Sequence, residues 1–489
     1  MTSVERTIEY QPRNAHIEAT QCNRIKHTPV NGSVFTKANP FIEFRLNPDG
    51  TFIDAARTRL NVKFTAVSGG AGSAAHSVYT SPSIWSCFSS MEIRNGGNIL
   101  ERTENLNRIY AVYQKVYSST IQNETIGSIT DLIQPPTSTL LNQSAVGIKI
   151  SSGVDAVNPP FASHNCSVPL SLSNLFGTSA RKAYPNALLR ESTVIRLFLT
   201  PNSEEVLYAM AVGGTPTYNS AMTYKLSDIS LEMVHIRYAP DIMNRIRDRM
   251  TEREVTWDGV QCISSINQGN YESTNRLILP NTSYSDVRNI IINQFYPTLA
   301  SNQLTMGCSP LNGTYQAQLF LDGNPIARNR PVGAQYAQNP IASVSELAQS
   351  VLELNRPFCV VDDTNTQISL SKGNGTASKI SFTNCNSGGG ATGVPYTVPT
   401  QSKPLMSEFP LTVDSAVAPY FGFIGFDLVR NGDPSRASVG HDLRGRQLVY
   451  EARQTNTITD TTTCVVQAIL CCGVKYVLDK QAGILRTIY

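Results

Sequence analysis

The side chains best suited by type to acid–base chemistry lie in the segment PSRASVGHDLRGR, where Asp442 follows His441. A histidine beside a carboxylate on a glycine-rich loop could act as a general base. Neighbouring residues on an extended chain point to opposite sides, so this pair is poorly arranged to share a proton. We therefore expect His441 and Asp442 to form a structural turn, and we assign no catalytic residue to the chain.

Two pairs of adjacent carboxylates could supply the two acids of a glycosidase, namely Glu204 with Glu205 and Asp362 with Asp363. A glycosidase needs two carboxyl groups that face one glycosidic bond. Side chains of adjacent residues diverge on an extended segment, so neither pair meets that requirement. No enzymatic role is predicted.

The segment GGGATG, from Gly388 to Gly393, matches the glycine pattern of dinucleotide-binding loops. That pattern binds a phosphate only where a helix begins directly after it. The residues that follow, VPYTVPTQSKP, contain three prolines and cannot form a helix. We interpret the segment as a loop and predict no cofactor.

The ten cysteines and six histidines show no spacing typical of metal ligands, and no C-x-x-C pair occurs. Cys471 and Cys472 are adjacent on a predicted strand and should point to opposite faces. Buried free thiols are expected, with a disulfide or a metal site as the alternative. His235 is expected to be packed in a strand or at an interface. Trp85 and Trp257 should fill cores, with carbohydrate stacking as the alternative.

A run of arginines in PDIMNRIRDRMTERE, which begins at Pro240, could contact phosphates. Acidic residues alternate with the arginines, which favours a solvated or salt-bridged linker helix. The formal net charge is only +3, and the first thirty residues carry no basic arm. No specific nucleic-acid binding is predicted. The arginines of this run are Arg245, Arg247, Arg249 and Arg253.

The composition is unusual in its low content of charged residues, 16% against about 25% in typical soluble proteins. Ser, Thr, Asn and Gln take their place. An uncharged polar surface suits a protein that packs against many like neighbours, because few charges must be desolvated, but it also suits a lectin or an adhesin. The longest apolar runs have about ten residues, against about twenty in a membrane helix, and the N-terminal residues lack the apolar stretch of a secretory signal. We expect a soluble chain made in a cytosol-like compartment.

The elements that would position these side chains are mostly strands, because period-2 alternation dominates the sequence. In RLNVKFTAV, Leu60, Val62, Phe64 and Ala66 alternate with polar residues, as in a strand buried on one face. The segment YPNALLRESTVIRLFLTPN alternates in the same way after a proline turn. In DISLEMVHIRY the apolar positions shift by one, which predicts a bulge or a strand buried on both faces.

Two segments with helical periodicity each follow a predicted hairpin. The hairpin at Asn95-Gly96 precedes the helix in TENLNRIYAVYQKVYSS, and the hairpin at Asp322-Gly323 precedes the helix in SVSELAQSVLELN. A long polar loop and further strands follow in both cases. This order predicts a divergent internal duplication.

Long connections between regular strands are typical of jelly-roll sandwiches, in which the sheets are fixed and the turns extend outward. The predicted fold class is all-β: two tandem jelly-roll β-sandwiches with a few short helices and long loops. The predicted division is an N-terminal extension (1–30), a first jelly roll (31–238), a linker that is helical in our interpretation (239–254) and a second jelly roll (255–489).

The segment CSVPLSLSNLFGTSARKAYPNALLRESTVIRLFLTPNSEEVL resembles the end of the first jelly roll in double jelly-roll major capsid proteins. That family includes proteins of virophages, Polinton-like viruses, adintoviruses and nucleocytoplasmic large DNA viruses. PFIEFRLNPDGTFIDAARTRLNVKFTAV is similar to its first strands, SIWSCFSSMEIRNGGNILERTENLNRIYAVY to its hairpin and helix, and QAQLFLDGNPIARNRPV to the hairpin of its second jelly roll. The matching positions in the first segment are Phe176, Pro185, Leu188, Leu189, Ile195, Leu197 and Leu199.

The resemblance implies a structural protein without catalytic activity that forms trimeric, pseudo-hexagonal capsomers of an icosahedral DNA virus shell. It implies that the partners are further copies of the chain, neighbouring capsomers, and penton and minor capsid proteins. Shells with and without an internal membrane beneath them are both compatible with the sequence. The protein would reside in the virion after assembly in the host cytoplasm or nucleus.

Three other functions fit parts of the sequence. A glycan-binding spike, fibre or lectin-like β-sandwich would also be oligomeric and rich in Asn and Thr, although fibres usually contain short repeats. A single jelly-roll capsid protein of an RNA virus would more often carry a basic arm. A jelly-roll glycosidase is the third alternative.

Overall fold

The computed structural model describes the strands and the segments that join most of them. The described residues are 21–68, 76–81, 83–117, 127–134, 146–147, 149–151, 163–170, 172–177, 183–201, 205–211, 216–217, 222–252, 255–270, 274–278, 284–295, 315–326, 332–334, 381–382, 396–397, 423–428, 440–454, 463–479 and 481–489. Of the predictions above, the second helix (SVSELAQSVLELN), Gly388–Gly393 and Asp362 with Asp363 lie outside these ranges.

A helix near the middle of the chain separates two groups of strands, which we call the first half and the second half. The elements of the first half are β1 (Gln21–His27), β2 (Val34–Phe35), β3 (Phe41–Leu46), β4 (Phe52–Ser68), β5 (His76–Thr80), β6 (Phe88–Asn95), β7 (Asn98–Glu104), α1 (Leu106–Tyr117), α2 (Gly127–Thr130), β8 (Ile133–Gln134), β9 (Val146–Gly147), β10 (Lys149–Ser151), β11 (Ser163–Pro169), β12 (Thr193–Leu199), β13 (Leu207–Ala211), β14 (Pro216–Thr217) and β15 (Met222–Arg237).

The separating helix and the second half complete the chain. Their elements are α3 (Pro240–Glu252), β16 (Val255–Asn270), β17 (Thr274–Ile278), β18 (Val287–Phe295), β19 (Tyr315–Leu321), β20 (Asn324–Ile326), β21 (Val332–Ala334), β22 (Ser381–Phe382), β23 (Tyr396–Thr397), β24 (Phe423–Asp427), β25 (Leu448–Gln454), β26 (Thr463–Asp479) and β27 (Ile484–Ile488). Short 3-10 turns lie at Ile84–Cys87 and Asn186–Leu188 in the first half.

Each sheet takes its strands from one half only, and all described pairings are antiparallel. The main sheets of the first half have the orders β1-β15-β4-β11, β10-β5-β13-β14 and β3-β12-β6-β7, with β2 also paired to β15. Those of the second half have the orders β16-β26-β18-β24, with β27 on β26, and β17-β25-β19-β20, with β21 on β19. The chain is therefore all-β with two tandem β-sandwiches, which confirms the predicted fold class.

The predicted alternation in the first half is confirmed by burial. Ile195 and Leu197 of β12 are fully buried, while Val194 and Arg196, which alternate with them, are half-buried on the other face. Buried residues of β4 and β12 belong to one apolar core together with Trp85, which contacts the ring of Tyr110 on α1 at 5.7 Å between centroids. Burial of such side chains is the main stabilising contribution in a sandwich, about 1.5–3 kcal/mol for each large one.

Both predicted hairpins form, although the first turn is shifted by one residue. Its two turn residues are Gly96 and Gly97, with φ of 53° and 84°, and Asn95 instead ends β6. These left-handed angles suit glycine and match the twist of a two-residue hairpin. The second turn contains Asp322 and Gly323, as predicted.

The predicted irregularity in DISLEMVHIRY is a bulge. The register of β15 against β4 shifts between Glu232 and Val234, and Asp228 has a positive φ of 50°. The shift explains why the buried positions change from Met233 to Val234 along this strand.

The N-terminal segment differs from the expected extension over residues 1–30. Gln21–His27 forms β1 and pairs along its whole length with β15, so the second part of this segment belongs to the first sheet. Six of its seven residues are exposed on both faces. A strand that buries neither face carries no period-2 alternation, so the sequence pattern does not predict it.

The last long apolar segment forms one 17-residue strand, β26, which pairs with β16 over sixteen residues. Cys471 and Cys472 are both buried within it, and Cys87, Cys166 and Cys262 are buried free thiols, as predicted. Cys22 of β1 differs from the prediction, because its free thiol lies on an exposed strand. No helix in the described part of the chain is long and apolar enough to cross a membrane.

Candidate functional site: the junction between the two halves

The structure places His441 and Asp442 in a turn with separate partners. The main chain of His441 forms a bridge with Val287, and its Nδ1 donates to the carbonyl oxygen of Leu428 at 2.8 Å. The carboxylate of Asp442 instead accepts two hydrogen bonds from the guanidinium of Arg444, at 3.0 and 2.7 Å, which lower its pKa to about 2. This arrangement supports the interpretation of a structural turn.

Of the other acidic and basic candidates, those that the structure describes are hydrogen-bonded or exposed. Glu205 accepts a hydrogen bond from the side-chain amide of Asn107 at 2.6 Å, whereas Glu204 lies outside the described residues. On α3, Arg245 and Arg247 are exposed, and nothing is described of the side chain of Arg249 or of residue 253. In the part of the chain that the structure describes, no group of three or more His, Cys, Asp or Glu residues could hold a metal ion.

His235 is buried in β15, as predicted, but it has partners that the sequence did not indicate. Its Nδ1 lies 3.0 Å from a carboxylate oxygen of Asp49, and its Nε2 lies 2.9 Å from Nε2 of His27. The three residues are far apart in sequence, so no motif could reveal the cluster. The pairing of β15 with both β1 and β4 brings them together, because Asp49 lies just before β4.

A buried network of polar contacts joins the two halves, and we call it the junction. Its centre is Glu101 of β7, which is 3% exposed. One carboxylate oxygen accepts hydrogen bonds from the main-chain N–H groups of Asn174 and Leu175, at 2.9 and 3.0 Å, and from the hydroxyl of Tyr476 at 2.8 Å. The other accepts from Ser173 Oγ at 2.7 Å. A single carboxylate thus binds a loop of the first half and a strand of the second.

Burial dominates the electrostatics of the junction. It raises the pKa of the Glu101 carboxyl, while the four hydrogen bonds act in the opposite direction. Burial also raises the pKa of Tyr476, and the neighbouring Glu101 raises it further. An isolated buried carboxylate would be strongly destabilising, so the four donors are what make this position tolerable.

Main-chain groups extend the junction on both sides of Glu101. The side chain of Asn174 hydrogen-bonds both main-chain groups of Val260 in β16, with the N–H contact at 3.2 Å. The N–H of Leu485 in β27 donates to Oδ1 of Asn95 at 2.9 Å, and its carbonyl oxygen accepts from Asn98 Nδ2 at 3.2 Å. The hairpin β6–β7 is therefore fixed to the last strand of the chain.

Apolar packing encloses these polar contacts. Four side chains of the second half belong to the apolar core of the first half. Trp257, which is half-buried, packs against the ring of Tyr476 at 5.6 Å between centroids and against this core, so it lies at the junction rather than in the centre of a sandwich. The four side chains are Val474, Tyr476, Leu478 and Leu485.

The sequence did not identify Glu101 as important. It lies in ILERTE, where a glutamate beside a buried leucine looks like any exposed strand residue. The signal that could have helped is Tyr476, a tyrosine in a strongly apolar strand, because a buried tyrosine hydroxyl usually has a polar partner.

The outer face of the sheet β3-β12-β6-β7 carries a second polar arrangement, which we call the charged row. Arg196 of β12 lies between Glu43 and Glu92 on the neighbouring strands, at 2.8 and 3.8 Å. Arg94 binds Glu92 through two hydrogen bonds, at 2.5 and 2.9 Å. Cross-strand pairs of opposite charge stabilise a sheet modestly.

A surface cleft of about 400 Å³ lies beside the charged row, between the hairpin of β6 and β7 and the start of β27. Arg94, Arg196, Glu191 and Ile484 are among its lining residues. Both arginines are already paired with the glutamates of the charged row, so the cleft presents no uncompensated positive charge to an anion.

Sequence comparisons identify no relative: no family model matches the chain, and no curated protein matches it. Solved structures do match. A chain of the PBCV-1 virus capsid is similar with a TM-score of 0.51 at 9% identity, over 97% of this chain and 98% of the other. A chain in the structure of the Sputnik virophage is similar with a TM-score of 0.52 at 12% identity, over 100% of this chain and 92% of the other.

The similarity covers both halves and not one sandwich alone. The chain thus has the fold of the double jelly-roll major capsid proteins, which confirms the fold that the sequence resemblance implied.

Proposed function

We propose that this chain is the major capsid protein of an icosahedral DNA virus and that it assembles as homotrimers, which form pseudo-hexagonal capsomers. Support comes from the fold, which matches a viral capsid chain over nearly its full length. The proposal makes assembly, and not catalysis, the function of the chain. None of the described acidic, basic or histidine candidates forms a catalytic arrangement.

The observation that carries the proposal is the junction. A trimer of two-sandwich chains has six sandwiches, and it is pseudo-hexagonal only if the two sandwiches of each chain keep one fixed relation. The buried Glu101 with its four donors, and the apolar side chains around it, supply such a fixed relation. Two domains joined by a linker alone would be expected to move relative to each other.

We further propose a domain division at α3, with the first jelly roll at 31–238, the link at 239–254 and the second jelly roll at 255–489, and with β1 added to the first. The proposed partners are further copies of the chain, neighbouring capsomers, penton and minor capsid proteins, and a membrane beneath the shell. The proposed location is the virion, after assembly in the host cytoplasm or nucleus.

Purification of the full chain, followed by light scattering and negative-stain microscopy, tests the proposal. We expect particles of about 160 kDa, three chains of 53.4 kDa each, with a six-fold outline. Interfaces of obligate oligomers bury about 2,000–5,000 Å², so these trimers should survive dilution. Monomers, or fibres that bind a glycan array, would contradict the capsid role and favour a glycan-binding spike.

A further inference from the structure

The first strand of the chain is attached to the fold almost without apolar burial. Residues 21–26 of β1 are exposed, and the one large apolar side chain among them, Ile25, is 36% exposed. The main-chain pairing with β15 and a surface ion pair between Arg24 and Glu232, at 3.1 Å, hold most of its length. Exposed ion pairs of this kind contribute little to stability.

The C-terminal end of β1 is held differently, by the ring of His27. This ring stacks on that of His235 with 5.1 Å between centroids, and the two Nε2 atoms are 2.9 Å apart. On its other side, Nδ1 of His235 lies 3.0 Å from Oδ2 of Asp49 and 2.7 Å from Oγ1 of Thr51. We call these four side chains the histidine cluster.

The hydrogen bonds of the histidine cluster have a fixed direction. Oγ1 of Thr51 lies 2.6 Å from Oδ1 of Asp49 and donates to it, because a carboxylate only accepts. Nδ1 of His235 must therefore carry a proton toward Asp49 and Thr51. In the neutral ring, Nε2 of His235 is then an acceptor, so His27 donates its Nε2 proton to it. The contact requires that at least one of the two Nε2 atoms lacks a proton.

One added proton leaves this contact intact, because an imidazolium can still donate to a neutral imidazole. A second proton places two N–H groups and two positive charges face to face at 2.9 Å, which removes the hydrogen bond and creates repulsion. Burial lowers the pKa of both histidines. The neighbouring His235 lowers the pKa of His27 further, whereas Asp49 acts to raise the pKa of both rings.

Asp49, from the segment between β3 and β4, is the charged group that faces the two histidines among the described residues. Partial burial acts to raise its pKa, but hydrogen bonds from Thr51 and Asn186 and the nearby His235 leave the pKa of Asp49 below its usual value. It therefore remains a single negative charge that can balance one imidazolium but not two. Glu232, on the same strand as His235, is paired with Arg24.

A second set of contacts, directly after β1, limits how much of the chain can detach from the sheet. Asn31 hydrogen-bonds the main chain of β3 at Phe41 and Glu43, at 2.8 and 2.9 Å, and Val30 donates its N–H to the carbonyl oxygen of Glu43 at 2.8 Å. The chain is thus fixed at residues 30–31 independently of the histidine cluster. Detachment can involve β1 without disturbing β3.

The geometry points to an acid-releasable strand: we propose that double protonation of His27 and His235 detaches β1 from β15 while the first sandwich remains folded. Because both pKa values lie below 6.5 in the attached state, attachment is fully favoured above about pH 6.5 and is lost as the pH falls through the lowered pKa values. Detachment exposes the main-chain edge of β15 from Leu231 to Arg237. The inference does not depend on the capsid role.

Hydrogen exchange of the full chain, measured by mass spectrometry at about pH 7.5, 6.5, 5.5 and 5.0, tests the proposal, with exposure times scaled to equal intrinsic exchange. Each proton taken up changes the opening equilibrium by up to about tenfold per pH unit. We expect protection of β1 and of Leu231–Arg237 to fall by at least about tenfold between the extremes. Protection of Thr193–Leu199 in the core should not change.

The matched variants are His27→Gln and His164→Gln. Glutamine at position 27 keeps a neutral N–H donor but cannot be protonated, so the acid-dependent loss at β1 should largely disappear. His164 lies in β11 of the same sheet, and its substitution should leave that loss unchanged. Constant protection of β1 in the unmodified protein, an equal loss in His27→Gln, or simultaneous loss at β1 and Thr193–Leu199 would each overturn the proposal.

Discussion

Glu101 and Glu92 lie on the two strands of one hairpin, and both are almost inaccessible to solvent, yet their surroundings have little in common. Glu101 accepts hydrogen bonds from neutral donors in two separate segments, one of which belongs to the other half of the chain. Glu92 is covered by Arg94 and Arg196 of its own sheet, whose side chains remain 38% and 34% exposed.

The contrast separates two uses of a buried carboxylate. In the charged row, solvent can hydrate the arginines if the glutamate is lost, so each partner tolerates the absence of the other. At the junction, the donors are enclosed, and each would remain unpaired without Glu101. A buried group with neutral donors from distant segments therefore fixes a tertiary arrangement, whereas a surface row of charges stabilises a sheet that already exists.

Glu101→Ala should produce the largest effect in this comparison. It leaves four enclosed donors unpaired, and we expect a loss of about 3 kcal/mol or more in unfolding free energy. Glu104→Ala on the same strand is the matched control, because the Glu104 side chain is 53% exposed. Urea denaturation of both variants measures the difference. Equal midpoints would mean that the junction does not stabilise the chain.

Gly96→Ala should have the next largest effect, about 2–3 kcal/mol. A Cβ at this position would lie 2.8 Å from Cγ2 of Ile484 in β27, and the positive φ of Gly96 adds strain. Gly97 also has a positive φ, but a Cβ added there would have no contact within 4 Å. Gly97→Ala should therefore show the backbone strain alone. The thermal unfolding midpoints of the two variants are compared. A loss of stability in Gly96→Ala that is no greater than in Gly97→Ala would contradict the close contact between the hairpin and β27.

Tyr476→Phe tests the hydrogen bond that links the halves through Glu101. It removes one donor and leaves the ring packing with Trp257 in place, so we expect a cost of about 1.5 kcal/mol, within the range for hydrogen bonds to charged groups. A double-mutant cycle with Glu101→Ala, which removes the acceptor, isolates the coupling. Additive effects of the two substitutions would show that the 2.8 Å contact carries no energy.

Glu92→Gln should have the smallest effect, below about 1 kcal/mol, because the glutamate is paired with partly exposed arginines. The effect should shrink further in about 1 M salt, where the screening length is about 3 Å. Measuring the change in unfolding free energy caused by Glu92→Gln, with and without the salt, checks both statements. A salt-independent loss as large as that of Glu101→Ala would remove the distinction between the charged row and the junction.

The predictable parts of this protein depended on local periodicity. The alternation around Leu60 and Leu197, the bulge near Met233 and the turn at Asp322-Gly323 follow from side-chain spacing within about ten residues, and the structure shows each of them. The strand β1 was missed because it is exposed on both faces and has no alternation. The turn at Gly96-Gly97 was misplaced by one residue, since two successive glycines and a neighbouring asparagine suit a hairpin equally well.

By itself, the sequence determined that the chain is a two-part β protein, because burial of one face of a strand is recorded directly in the order of polar and apolar residues. Only the tertiary structure decided which polar residues matter. Glu101 meets Tyr476, and His27 meets His235, across hundreds of residues. Such contacts are set by strand pairing and domain packing, and nothing in the local spacing of a single glutamate or histidine encodes the partner it will have.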